Sequence, residues 1–298
     1  MISSLNHLEA VLGYGRVEIR KVIDAPDRYR YSYLKPKSIK GYREISPSIE
    51  ILKDIQNRIK DRVFSNVVFP YHVIGSTKRR SGILNAKLHS GTNFHFKTDI
   101  SSFFSFITYK HVNRALLQLG FSGRVAELIT KLVTYKGHLT EGASTSSFLA
   151  NLVGLEFDAE ILKICSALGI IYTRYVDDLL FSANYCFKSK TLEFLSILPK
   201  YGFKHNNAKT TYKKGIIIAT GARTGPNGLK PTVKLLQKRN TTESANVLAG
   251  CDAFIRYIKR VNSMSVAEYK RKYAELSFPA KIILIPPQVV SQIINHPS

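Results

Sequence analysis

Two adjacent carboxylates between apolar strands are costly to fold. The run Tyr175-Val176-Asp177-Asp178 places such a pair between Gly169–Tyr175 and Leu179–Ala183. Mutual repulsion opposes ionisation of both acids at once. A divalent cation relieves it, because the ion becomes the largest local charge and favours both ionised forms. The stretch is therefore expected to fold as strand, turn and strand. A third acid, Asp99, ends a strand-like run of its own, Asn93–Asp99. Three carboxylates on separate strand ends can hold two metal ions around one phosphate, an arrangement suited to phosphoryl transfer. Each acid alone also has a plainer reading: Asp-Asp is frequent in turns, and Asp99 before Ile-Ser-Ser can cap a helix.

The rest of the composition narrows the class. With 298 residues, 44% of them hydrophobic, the chain can build a large core or two to three subdomains. Its 44 Lys and Arg against 21 Asp and Glu give a formal net charge of +23. That excess predicts a polyanionic partner, nucleic acid in preference to membrane, since no stretch approaches the length of a span. Cys165, Cys186 and Cys251 are widely spaced in apolar surroundings and are expected as reduced core residues of a cytoplasmic protein. The polar N-terminus has no signal-peptide pattern.

Periodicity predicts a short helix over 3–12 and an aromatic strand over 29–34. A turn between Pro36 and Gly41 follows, then a strand over 42–45. Ser46-Pro47 reads as a helix N-cap, followed by a face of Ile49, Leu52, Ile55, Ile59 and Val63. A buried helix is expected over 145–168, apolar nearly all round and ended by Gly169. Another helix is expected near 189–199, and a strand from Gly215 to Ala219. Residues 216–298 are helical in pattern and basic, with twelve Lys and Arg against four Asp and Glu.

Taken in order, five blocks resemble those of reverse transcriptases over residues 29–240. The first runs from Tyr29 to Gln56 and contains Lys35-Pro36-Lys37, Gly41-Tyr42-Arg43-Glu44-Ile45 and Pro47. It is followed by Asp99-Ile100-Ser101-Ser102-Phe103-Phe104 and by Glu141-Gly142-Ala143-Ser144-Thr145-Ser146. The last two are Tyr175-Val176-Asp177-Asp178 and Gly202-Phe203 with Asn206, Lys209 and Thr210. Two signatures resemble retron enzymes in particular: Asn85-Ala86-Lys87-Leu88-His89, and Ala219-Thr220-Gly221 with Ala in place of Val. Glu141 departs from the family, which usually has Gln there.

The resemblance implies an α+β, right-hand polymerase fold with fingers, a palm of antiparallel sheet backed by helices, and a helical thumb. Fingers are expected over 1–92, a palm partly interleaved with them over 93–228, and a thumb or RNA-binding region over 229–298. Asp99, Asp177 and Asp178 would be catalytic, holding two Mg²⁺ ions with the Ile100 carbonyl as a further oxygen. Magnesium suits an all-oxygen site whose substrate brings phosphates. Arg43 and Lys209 would meet the incoming triphosphate, and Glu141-Gly142 would lie near the nascent base pair. Phe103 and Phe104 cannot face the same way, and the resemblance selects Phe104 as the flat gate against a 2′-hydroxyl.

Lys230, Lys234 and Lys238 are spaced by four and would share one helical face, with Arg239 beside them, for the phosphates of an RNA stem. Asn85 and His89 either contact RNA or brace a loop. What the retron resemblance implies is synthesis of branched, RNA-linked single-stranded DNA (msDNA) from a cognate non-coding RNA and dNTPs. It also implies an effector protein encoded nearby, a host RNase H acting in trans, and a role in antiphage defence. Competing readings are another bacterial reverse transcriptase, of group II intron or diversity-generating type, and a catalytically idle RNA-binding scaffold on the same fold.

Overall fold

The computed structural model describes residues 2–36 and 41–268. They form two compact units, each built from separate chain segments: residues up to 69 with 102–154, and residues 70–101 with 155 onward. Residues 70–92, expected with the fingers, thus belong to the same unit as the strand that ends in Asp99.

In the first unit, helix Leu5–Leu12 begins where Ser4 Oγ accepts the His7 N–H and stops at Gly13, whose φ is 65°. Helix Arg16–Asp24 and a 3-10 turn at Pro26–Tyr29 follow. An antiparallel hairpin joins β1 (Tyr33–Pro36) to β2 (Tyr42–Ile45). The strand expected over 29–34 therefore starts late. Arg30 is the reason: it is buried, donates from Nη1 to Ser46 O and Thr140 Oγ1, and lies over the Tyr135 ring. These contacts hold its stretch against the unit's interior instead of in the hairpin.

The next helix is Glu50–Arg58, continued by a π turn at Ile59–Val63, so Ser46-Pro47 is not its cap. The Ser46 N–H donates to Glu141 O, and Ser48 Oγ donates to the buried Gln56. Gln56 Nε2 in turn donates to Leu132 O. Leu52, Ile55 and Ile59 are buried as the helical spacing requires. Phe64 stacks on Phe148 at 4.5 Å, and Phe69 meets the same ring edge-on. Phe148 lies on the long helix Ser146–Ala167, close to the expected 145–168, with Gly169 at φ 62° just beyond it.

The second unit holds a four-stranded antiparallel sheet of β3 (Phe94–Asp99), β4 (Ile171–Tyr175), β5 (Asp178–Ala183) and β6 (Thr211–Lys214), in the order β4-β5-β3-β6. Phe181 at its centre packs on Phe96, Tyr172 and Phe194, the last from helix Thr191–Lys200. A smaller sheet contains β7 (Ile217–Ala219), β8 (Ala222–Thr224) and β9 (Lys230–Pro231). Thr220 and Gly221 form the two-residue turn between β7 and β8, with φ of 41° and 93°. A primed hairpin turn demands positive φ at both positions. Helices Val233–Thr241 and Ala245–Ser263 follow, the second burying Cys251, Ile258 and Val261. Ile258 and Val261 share a core with Ile83, Leu84, Leu180 and Ala222. Cys165 and Cys251 are buried as expected; Cys186 is exposed, which corrects the core assignment for that residue.

Candidate active site

The turn between β4 and β5 consists of Val176 and Asp177, closed by the pairing of Tyr175 with Asp178. Val176 has φ +60°, a left-handed conformation that is unfavourable for a β-branched residue. On the other side of β5, Asp99 stands directly opposite Asp178 in the register of β3. The Ile100 N–H donates to Asp177 O at 2.9 Å, tying the end of β3 to the turn. The structure therefore brings together all three acids of the sequence reading, with Ile100 beside them.

Burial, then the neighbouring Asp99 and Asp178, push the Asp177 carboxyl up to about 6. Burial also raises Asp99, against the opposing pull of Lys209. Lys209 Nζ lies 3.0 Å from Asp99 Oδ2, and Lys97 Nζ lies 3.2 Å from Asp178 Oδ2. Lys209, expected at the incoming triphosphate, is thus placed against the acids themselves. Lys97 was not singled out from sequence, although its position two residues before Asp99 sets it on the same face of β3. The donors are oxygen only and ionisable, and Asp99 and Asp178 are already paired with lysines, a chemistry that fits Mg²⁺. Among the described residues no three His, Cys, Asp or Glu side chains close into a metal cage.

In the first unit an open cavity of about 260 Å³ is lined by Tyr33, Lys35, Arg43, Phe104, Glu141 and Gly142, among others. Four expected nucleotide-binding residues thus meet in one place. Tyr33 and Lys35 were missed, though alternation along β1 puts both on the face that carries Arg43 across the register. Arg43 Nη1 lies 3.4 Å from Glu141 Oε2, so the Glu141 carboxylate is an ion-pair partner of Arg43. Gly142 has φ +97°, and a Cβ there would come within 2.9 Å of Ile45. Phe103 is buried and Phe104 half-buried on the cavity wall, the division expected of the pair. The Ser144, Thr145 and Ser146 hydroxyls are buried without hydrogen-bond partners among the described residues.

The expected RNA-binding residues divide. His89 is fully buried between Ser182 Oγ (2.7 Å) and Thr173 Oγ1 (2.8 Å), and Thr173 also donates to Asn85 Oδ1. Neither Asn85 nor His89 presents a surface to RNA, and the bracing alternative describes both. Thr220 Oγ1 donates to Gly82 O and accepts from Asn85 Nδ2. The two retron-like signatures therefore dock on each other. Lys230 lies in β9, three residues before the helix that carries Lys234 and Lys238, which corrects the three-lysine helical face. Arg239 is paired with Asp252 at 2.5 Å. Lys234 and Lys238 remain exposed on one face.

The sequence model described as reverse transcriptase (RNA-dependent DNA polymerase) matches residues 34–241. The Retron Ec86 reverse transcriptase of Escherichia coli is 34% identical over 192 residues, 63% of this chain and 60% of the relative. The Retron Ec48 reverse transcriptase of Escherichia coli is 27% identical over 226 residues, 70% of this chain and 55% of the relative. Both matches span less than two thirds of the relative's own length. Telomerase from Candida albicans, solved with a TWJ fragment of telomeric RNA, superposes with a TM-score of 0.52 at 12% identity. That match covers 83% of this chain and 56% of the telomerase, and the likeness is one of fold, the right-hand polymerase class. With a family match over most of the chain, this chain belongs to the reverse transcriptases.

Proposed function

We propose that this chain is the RNA-directed DNA polymerase of a retron, making branched msDNA from a cognate non-coding RNA within an antiphage defence system. The observation that carries the enzymatic part is the register of Asp99 against Asp178, with Asp177 on the adjoining turn. Reverse transcriptases generally use divalent metal ions. Asp99, Asp177, Asp178 and the Ile100 carbonyl would hold two Mg²⁺, which when bound supply activation of the primer hydroxyl and charge neutralisation at the pyrophosphate.

The chain's own residues do the rest. Arg43 draws the triphosphate by charge, and Phe104 walls the sugar side of the cavity. Lys209 balances charge at Asp99, and Gly142 lets Glu141 stand against Arg43. Fingers are assigned within residues 1–92, palm within 93–228, and thumb with RNA contacts from 229 onward, where Lys234 and Lys238 face phosphates and Lys230 stands apart from them in β9. The cognate RNA serves as template and primer source; a nearby effector and a host RNase H complete the system, in the cytoplasm. Among the described residues no helix is long and apolar enough to cross a membrane.

The test is primer extension on an RNA template with purified protein, beside the variant carrying Asp177→Asn and Asp178→Asn. The variant loses Mg²⁺-dependent synthesis while keeping RNA affinity, because the basic surfaces are untouched. Extension that survives the double change refutes the assignment of the acids. Co-expression with the flanking non-coding RNA yields a branched product if the retron reading holds, and linear cDNA alone refutes it.

A further inference from the structure

The catalytic turn does not hold itself. Val176 sits in the left-handed region, where a valine stays only if its surroundings over-determine it. Three neighbours do so. Arg174, fully buried, donates from Nη1 to Val176 O at 3.2 Å. Its Nε and Nη2 grip Asp158 at 2.8–3.0 Å. Gly75 lies so close that an added Cβ would stand 2.5 Å from Val176 N and 2.8 Å from Tyr175 C. The strap that carries Gly75 is itself fastened to β4: the Ile74 N–H donates to Arg174 O, and the Arg174 N–H donates to His72 O, both at 2.8 Å.

Asp158 anchors the far end. It is fully buried and also receives the Tyr172 hydroxyl at 2.6 Å and lies 3.2 Å from His72 Nε2. A guanidinium can serve two partners at fixed angles because its donors form a rigid fork, which an ammonium cannot copy. One side chain thus links an immobile carboxylate on the long helix to the carbonyl between Tyr175 and Asp177.

We propose that Arg174, anchored by Asp158, and Gly75 are positioning residues that hold the Val176-Asp177 turn so that Asp177 and Asp178 face Asp99 correctly. This rests on the functional reading above. None of the three touches substrate; each acts through the turn.

The test compares Arg174→Lys and Gly75→Ala with the parent and with Leu8→Ala, a truncation of a buried leucine in the first unit that lowers stability by itself. Three quantities are read on each protein: Mn²⁺ affinity by electron paramagnetic resonance, kcat and KM for dNTP, and amide exchange across residues 175–179. Both positioning variants are expected to lose about 10²-fold in kcat, the loss carried by a misplacement of roughly 1 Å. Their KM for dNTP stays within two-fold, Mn²⁺ affinity falls at least about ten-fold, and the turn amides exchange faster. Leu8→Ala melts earlier but keeps all three readings. Gly75→Ala changes no charge and no side-chain hydrogen bond, so it reports even if Arg174→Lys fails to fold.

The proposal is overturned if a folded Gly75→Ala protein matches the parent in all three, or if Leu8→Ala shifts them equally. A parent protein with no synthesis refutes the functional reading instead. The exchange comparison then still decides whether Arg174 and Gly75 hold the turn.

Discussion

Glu141→Gln offers a direct look at what the acid opposite Arg43 does. The charged atoms are 3.4 Å apart. Coulomb attraction at that distance is about 1.2 kcal/mol at the dielectric of bulk water. The two side chains are 43% and 31% exposed, so salt and solvent bring the pair into the range of about 0–1 kcal/mol typical of surface bridges. An incoming triphosphate needs the same guanidinium and competes with Glu141 for it. Replacing the carboxylate by an amide of equal size removes the competitor, which lowers KM for dNTP by up to about five-fold at about 1 kcal/mol. The value of kcat is expected to hold. Single-nucleotide insertion kinetics at low and high ionic strength measure this. The parent should approach the variant as salt rises, because added ions screen exposed charges. An unchanged or higher KM at low salt, in a variant with the parent's melting temperature, refutes the competition argument.

Phe104→Ala opens the cavity wall and should lower the dNTP-to-rNTP ratio of kcat/KM; an unchanged ratio places Phe104 outside sugar selection. Neutralising Lys234 and Lys238 together should flatten the log–log salt dependence of RNA binding by about 0.7–0.9 per lost phosphate contact. Arg239, already held by Asp252, should matter less, and an unchanged slope for the lysine pair refutes their role. His89 carries a pH signature. Burial holds its imidazole down to about 3, against about 6.5 unfolded. Below pH 6.5 the unfolded chain takes up a proton that the folded one refuses, so stability falls by up to about 1.4 kcal/mol per pH unit and levels off near 3. Urea unfolding of His89→Asn across that range should show a slope shallower by one proton, and equal slopes refute the neutral buried assignment.

The meeting of the acids was legible because Asp99 and the Asp177-Asp178 pair each stand at the end of a strand-like run, and strand ends need no tertiary knowledge. The long helix was legible for a related reason: an apolar surface all round has only one stable place. What escaped were residues whose fate is set by partners distant in sequence. Arg30 looks like part of an aromatic strand until Thr140 and the Tyr135 ring are known to enclose it. His89 is polar in a loop-like motif, which leaves RNA contact and loop bracing both open. Only the pairing of β4 with β5 reveals that Thr173 and Ser182 wait for its two nitrogens. Lys230 has the right spacing for a helical stripe, but Thr232 caps the helix and leaves that lysine in a strand. Spacing predicts a face only once the cap is placed. The Arg174 brace escaped for the same reason, since an arginine two residues before an acidic turn carries no sign of the buried aspartate it serves.

The order of the four-stranded sheet has a bearing on how the protein is made. In β4-β5-β3-β6, the first strand to be synthesised lies between the last two of the four to appear, β5 and β6. A chain growing from its N-terminus completes Phe94–Asp99 long before Asp178–Ala183 or Thr211–Lys214 exists to pair with it. During that interval both edges of β3 are unpaired and Phe96 has no Phe181 to pack against, a state that invites wrong partners. Closing such distant pairings is also intrinsically slow. The acids of this site therefore meet only after more than half of the polypeptide has emerged, and truncation ahead of Asp178 leaves Asp99 on a strand without its neighbours.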